Sequence, residues 1–192
     1  MSETPDWRTR RAAATHQRIY DVALELFRTE GFEAVNVGRI AKAAGVSVPT
    51  FYAHYPSKEH IVMQLPSADD FAALLADLPA DLPVATRFRQ GVLLWMSQWS
   101  PEFRQDALAR WRVIASTPSL RTRAAEFERT SGHVVAGAMP LVPGTTPRTA
   151  DLIVINAYMS AYTAALLGWA DSDGERKLEE LMDEAFDALG GP

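Results

Sequence analysis

The sequence predicts an all-α protein, with a three-helix head at the N-terminus and a larger helical domain behind it. Three observations carry that prediction. Apolar residues recur at one-face helical spacing along nearly the whole chain, and no run alternates with the period of a strand. Proline and glycine mostly stand between those runs, several beside serine or threonine caps. The stretch Leu152–Ala170 carries no charged residue over a length that suits a helix and exceeds an ordinary strand.

The first helix begins between Thr4 and Thr9 and runs to Glu30, with Ile19, Val22, Ala23, Leu26 and Phe27 on its buried face. Gly31 takes the C′ position that ends it, and Phe32 supplies the usual hydrophobic closure. Asn36 caps a short second helix bearing Val37, Ile40, Ala41 and Ala44 on one face. Gly45 makes the turn, Val46 plugs it from beneath, and Ser47 caps a third helix. Pro49 falls in the first turn of that helix, where a missing N–H costs nothing. Small Ala41 and Ala44 let the third helix cross the second closely, as a helix-turn-helix requires.

Pro56 then breaks the chain, which sets domains of 1–56 and 57–192. Ser57 caps a fourth helix containing Leu65, Phe71, Leu74 and Leu75, kinked or split at Pro66 and ending near Leu78. Pro79 and Pro83 bracket a turn before a helix with Val84, Phe88, Val92, Trp95 and Trp99 on one stripe. Ser100-Pro101 restarts the chain as a cap and first-turn proline, leading to Trp111 and Ile114. Thr117-Pro118 repeats the device for a helix through about Ala138. Pro140, Pro143, Gly144 and Pro147 form a loop, and two helices, roughly 148–170 and 174–189, close the chain.

The third helix is too polar and aromatic on its outer side to be core alone. Thr50, Tyr52, His54 and Tyr55 offer hydroxyls, an imidazole and flat rings, the groups that reach base edges and phosphates. The segment resembles the helix-turn-helix of the TetR-type (tetracycline-repressor-like) transcription regulators. That pattern runs roughly T-V-x-x-I-A-x-x-A-G-V-S-x-G-T-L-Y-x-Y-F-x-S-K-x-x-L. It stands here as Asn36-Val37, Ile40-Ala41, Ala44-Gly45-Val46-Ser47, Thr50-Phe51-Tyr52, His54-Tyr55, Ser57-Lys58 and Ile61. Asn36 replaces the usual threonine with its capping chemistry kept, and Pro49 replaces the commoner glycine.

The resemblance implies a regulator that puts the helix Ser47–His54 in a major groove of operator DNA. Ser47, Tyr55 and Lys58 are then expected on phosphates, and Val48, Pro49, Thr50, Tyr52 and His54 on bases, behind the cap Asn36. Val48 and Pro49 could read only thymine methyls or shape. Phe51 points inward, and Arg39 is placed to reach the backbone. Arg8, Arg10, Arg11, His16 and Arg18 form a run free of acids, which reads either as an arm toward phosphates or as a solvated helix start.

Charge distribution agrees. The chain has a formal net charge of −5, but residues 1–60 hold eight Lys/Arg and seven Asp/Glu against eleven and seventeen in the remainder. There is no cysteine, hence neither a disulfide framework nor a thiolate metal site. The start MSETPDWRTRR lacks the apolar run of a secretory signal, which predicts a cytoplasmic protein. His16, His54, His60 and His133 show no metal-ligand spacing, and no phosphate loop or nucleophile elbow is present. An enzyme and a helix-turn-helix that binds only protein are therefore the weaker readings, and no cofactor is expected.

In the second domain, Leu152–Ala170 is polar through its middle at Asn156, Tyr158, Ser160, Tyr162 and Thr163. That argues for burial against a partner subunit over a membrane span. With the stripe Leu178, Leu181, Met182, Ala185, Phe186 and Leu189, the last two helices are expected to form an isologous four-helix dimer interface, as TetR-type proteins dimerise. Trp95, Trp99, Phe103, Trp111, Phe127, Asn156, Tyr158 and Tyr162 are candidates to line a pocket for a small apolar or amphipathic effector, although aromatics at helical spacing are also ordinary core. Met96, Gln98, His133 and Met139 are lesser candidates.

Overall fold

A computed structural model describes residues 7–63, 73, 78–79, 81–138 and 148–190, with Arg8 and Ala138 described in their backbone alone. Among the described residues every regular element is a helix. The chain divides into two compact units, Met1–Gln64 and Leu65–Pro192.

The first unit holds α1 (Trp7–Glu30), α2 (Val37–Ala43), α3 (Val48–His54) and α4 (Glu59–Val62). α1 is the backing on which α2 and α4 rest. Ile19, Ala23, Leu26 and Phe27 are buried on it, and Val22 is half-buried. Gly31 adopts φ +85° and donates to the Phe27 carbonyl at 3.1 Å, while the Phe32 ring closes on Phe27 at 4.9 Å. α4 belongs to this unit because Ile61 and Val62 are fully buried. Leu65, Pro66, Phe71, Leu74 and Leu75 lie outside the described residues, as do Met139, Pro140, Pro143, Gly144 and Pro147.

The second unit contains α5 (Val84–Ser97), α6 (Pro101–Ser116), α7 (Pro118–Ala138), α8 (Thr149–Asp171) and α9 (Leu178–Asp187). α8 runs through the centre, packed by α5, α6, α7 and α9. That arrangement answers why its sequence is apolar on nearly every side. α8 is long and apolar enough to cross a bilayer, yet 44% of that window is already buried by its neighbours, and polar Asn156 and Thr163 sit within it.

The last two helices, expected at a dimer interface, are also bound into the unit itself. Leu178, Leu181, Met182 and Phe186 are buried in the unit's own core, and Ala185 packs against it. The acids on the other side of α9 are engaged as well: Arg89 binds Asp183 at 2.8 Å and Asp187 at 2.5 Å, and Arg104 binds Glu179 at 2.5 Å. α9 is thus a clasp on α5 and α6, and most of its stripe is buried within one chain, while Leu189 just past its end stays 43% exposed. The face of α8 that stays open runs through Ile153, Ala157, Ser160 and Ala164, with Ile153 65% exposed.

Candidate nucleic-acid interface and effector region

The reading helix is fixed from three directions. Its N-terminus is capped by Ser47, whose hydroxyl accepts from the Thr50 amide at 3.2 Å and sits 2.7 Å from the Thr50 hydroxyl. Its inner side is anchored by Phe51, which is fully buried. The turn before it passes through Gly45 at φ +65°, a conformation that strains any residue with a Cβ. Asn36 caps α2 in the same manner, accepting from the Arg39 amide at 2.9 Å.

What remains outward is Val48, Pro49 and Tyr52, with Thr50 and His54 partly exposed beside them. Tyr52 is 53% exposed with its ring edge-on to Phe51, so the phenol projects from a rigid base. Arg39 turns instead to Glu30, at 2.7 Å.

Two of the residues expected on phosphates are corrected. Tyr55 is buried, its ring stacked at 4.2 Å on His16 and its hydroxyl donating to the His16 carbonyl at 3.3 Å. Burial, reinforced by Asp21, pushes its phenol well above the usual value. The Lys58 ammonium donates to the carbonyls of Phe32 at 2.7 Å and Val35 at 2.9 Å and lies over the Phe32 ring. Tyr55 ties the end of α3 to α1, and Lys58 holds the α1–α2 connection. An aromatic and a lysine just past a helix end look alike in sequence whether they face outward or back.

The residues expected at an effector pocket separate into distinct sets. Trp95, Trp99 and Phe103 form one aromatic corner between α5 and α6, with centroid separations of 5.0 to 6.4 Å. The Trp99 indole N–H is buried there without a hydrogen-bond acceptor, a cost of about 1–3 kcal/mol. Tyr158 is different: it is solid core, against Phe88 at 5.7 Å and Phe186 at 5.3 Å. Asn156 donates to the Leu152 carbonyl at 2.7 Å, and its Oδ1 lies where a Cβ on Gly132 would come within 2.5 Å. It therefore belongs to the α7–α8 crossing, which corrects both Asn156 and Tyr158 as pocket residues. Trp111 and Phe127 are half-buried, and Tyr162 keeps accessible surface although burial drives its phenol up to about 12.

Sequence reading missed the polar groups of this interior. Arg110 is buried on α6, 3.2 Å from Asp106, at a position where the helical pattern Phe103, Ala107, Ile114 calls for an apolar residue. Its field acts on Tyr162. Glu128 on α7 is half-buried, and burial raises its pKa against the opposing hydrogen bonds of Thr163 and Ser160. A charged residue at a core register is the signal that could have found both.

Comparison with known proteins decides the family. Residues 19–65 match the family described as bacterial regulatory proteins, tetR family, and residues 82–192 match an MftR C-terminal domain. This chain belongs to the tetR family. A relative in Mycobacterium tuberculosis, MftR, named for transcriptional regulation of mycofactocin biosynthesis, is 30% identical, covering 94% of this chain and 92% of its own. The transcriptional regulator EthR of Mycolicibacterium smegmatis is 32% identical, over 58% of this chain and 60% of its own. In fold, FadR of Bacillus halodurans, described as a fatty acid degradation regulator, superposes with a TM-score of 0.50 at 15% identity, covering 100% of this chain and 97% of that one. A transcriptional regulator from Aquifex aeolicus gives 0.50 at 16%, covering 92% and 98%. The protein is accordingly a helix-turn-helix, DNA-binding transcriptional regulator of the tetR family.

Proposed function

We propose that this tetR-family regulator represses by holding a near-palindromic operator as a homodimer, and that a small apolar or amphipathic effector releases it. The observation that carries the DNA half is the outward face of α3. Val48, Pro49, Thr50, Tyr52 and His54 stand on a helix clamped by the Ser47 cap and the Phe51 anchor. That rigidity matters, because base contacts discriminate only when the side chains arrive preorganised. Ser47, at the N-terminus of α3, and Asn36, at the N-terminus of α2, are assigned to flanking phosphates. The protein acts in the cytoplasm, beside the chromosome.

Dimerisation is assigned to the open face of α8 with α7 alongside it. Ile153, Ala157, Ser160 and Ala164 form an uncharged small-residue stripe that a second copy could cover. Two heads then reach half-sites one helical turn apart or a multiple of it, about 34–36 Å. The effector is assigned to the aromatic interior of the second unit, where the Trp99 N–H awaits an acceptor and Tyr162 borders accessible space. Trp95, Trp111 and Phe127 supply further apolar wall. Linkage sets the rule: operator must weaken effector binding by the factor with which effector weakens operator binding.

The test is in vitro selection from a random duplex library, followed by fluorescence anisotropy on the recovered sequence. A near-palindrome should emerge, and Tyr52→Ala should weaken it by roughly 1–3 kcal/mol without lowering thermal stability. Failure to enrich any sequence, or an unchanged affinity in both Tyr52→Ala and His54→Ala, rejects the reading.

A further inference from the structure

Two polar groups in the interior of the second unit are under-used, and they lie within each other's electrostatic reach. Arg110 on α6 is 7% exposed. Asp106, one turn earlier, accepts from its Nε at 3.2 Å, and no acceptor among the described residues takes its two terminal nitrogens. Tyr162 on α8 is deep enough that burial drives its phenol up to about 12, and the charge of Arg110 acts on it as well. Its hydroxyl has no hydrogen-bond partner among the described residues. Yet Tyr162 keeps accessible surface. A side chain that is both deep and accessible borders a recess. Unlike the Trp99 indole N–H, the free groups of Arg110 and Tyr162 are not sealed off. A half-paired guanidinium at a core register is costly, because an ion taken from water must be compensated. Phe103, in the aromatic corner with Trp95 and Trp99, stands on the same face of α6 seven residues earlier. That is two turns, about 10 Å along the helix axis.

We infer that this recess takes the carboxylate of an apolar acid. The terminal nitrogens of Arg110 hold its two oxygens, the Tyr162 hydroxyl donates to one of them, and the hydrocarbon part runs toward Trp95, Trp99 and Phe103. The inference rests on the assignment of the effector to this interior and narrows that effector to one chemical class. A guanidinium fork matches a planar carboxylate through two parallel N–H···O bonds, a fit that an ammonium does not give. The phenol stays protonated across the neutral range, so it serves there as a donor and not as a competing anion. One negative charge suits the site better than two. Asp106 already offsets part of the guanidinium charge, and a dianionic phosphate would leave a surplus charge in the interior.

Three probes with one chain length and different heads test this: decanoate, decanol and decyl phosphate. Each is titrated into the whole protein by calorimetry, and into its complex with the selected operator by anisotropy. Decanoate should bind about tenfold or more tighter than decanol, as charge-assisted hydrogen bonds allow, and should release operator at matching concentrations. Decyl phosphate should bind more weakly than decanoate. Arg110→Met keeps the bulk of the side chain and removes the fork, so decanoate should fall to the level of decanol while decanol binding is retained. Tyr162→Phe should weaken decanoate about three- to tenfold and leave decanol unchanged. A purely structural role for either residue would instead move both ligands together, which overturns the inference. Should Arg110→Met fail to fold by circular dichroism, Tyr162→Phe, which deletes one oxygen, still decides the matter. If decanol binds and releases operator as well as decanoate does, the carboxylate assignment is overturned and the effector reading stands. Tighter binding of decyl phosphate overturns the choice of a carboxylate head. If none of the three binds, the effector reading of this interior fails with it.

Discussion

Ser47 and Ser100 do the same local work with different outcomes. Each accepts from the backbone N–H three residues on, at 3.2 Å, and each precedes a first-turn proline. After Ser47, the aromatic at the fourth position, Phe51, is fully buried, and the neighbouring Tyr52 is left outward. After Ser100, Phe103 is 38% exposed and joins Trp95 and Trp99 in a corner that strands an indole N–H. The difference lies in what faces the helix. α3 is positioned by a tight glycine turn against α2, so local chemistry dictates both its inside and its outside. The α5–α6 corner is set by distant elements: Arg104 reaches Glu179 on α9, and Arg112 reaches Asp173 at 2.7 Å beyond the end of α8. Local signals specify a helix; which face it buries is decided by whatever packs on it.

Substitutions can break that contrast, beginning with the largest effect. Phe51→Ala removes the anchor of α3 and should cost about 3–5 kcal/mol, seen as loss of DNA binding and early unfolding of the first unit in hydrogen exchange. The helical signal of the second unit should persist. Should the whole chain instead unfold in one step with a matching loss, the two units are energetically one.

Ala164 and Ala165 separate dimer face from core on adjacent residues of α8. Ala165 is buried within the chain, so Ala165→Arg should bury an unpaired charge and unfold the second unit, a cost of several kcal/mol. Ala164 is exposed, and Ala164→Arg should leave a folded monomer in light scattering that no longer holds the palindrome tightly. A stable dimer in Ala164→Arg places the interface away from this stripe.

The corner is probed more gently. Trp99→Phe deletes the unpaired N–H while keeping most of the ring, so stability by chemical denaturation should hold within about 1 kcal/mol of the parent. A clear loss beyond that would mean the indole nitrogen is satisfied in solution.

The smallest effect concerns Glu128. Burial raises its folded pKa above the usual 4.5, so the folded state holds the proton more tightly than the unfolded chain. Its contribution is complete below pH 4.5 and is lost as pH rises through the raised value. Glu128→Gln should therefore raise the thermal midpoint slightly at pH 7 and have no such effect near pH 4. A rise that is equal at both pH values would show that the charge is not the cause.

Much of the reading unit was legible in the residues. Gly31, Asn36, Gly45 and Ser47 each stand where a backbone conformation or an unpaired amide restricts the choice of side chain, and each takes up the role its type suggests. Tyr55 and Lys58 were misread because a residue just beyond a helix end points wherever tertiary contacts draw it. In the second unit, helix limits at Ser100-Pro101 and Pro118 could be read from caps and prolines. Which aromatics are core could not, since Tyr158 and Tyr162 lie one turn apart on the same helix and differ only in the neighbours that cover them.

The sequence by itself determined the all-helical architecture, the helix-turn-helix and the outward placing of Val48, Pro49 and Tyr52 on α3, because caps, turns and periodicity act within a few residues. Tertiary structure alone decided that α9 folds back as a clasp and that Lys58 serves carbonyls. It also decided that Arg18 reaches the turn ahead of α3. Those outcomes depend on groups that are distant along the chain, Phe32 from Lys58, Arg89 from Asp187, Ala44 from Arg18, and their meeting is fixed only when the helices pack.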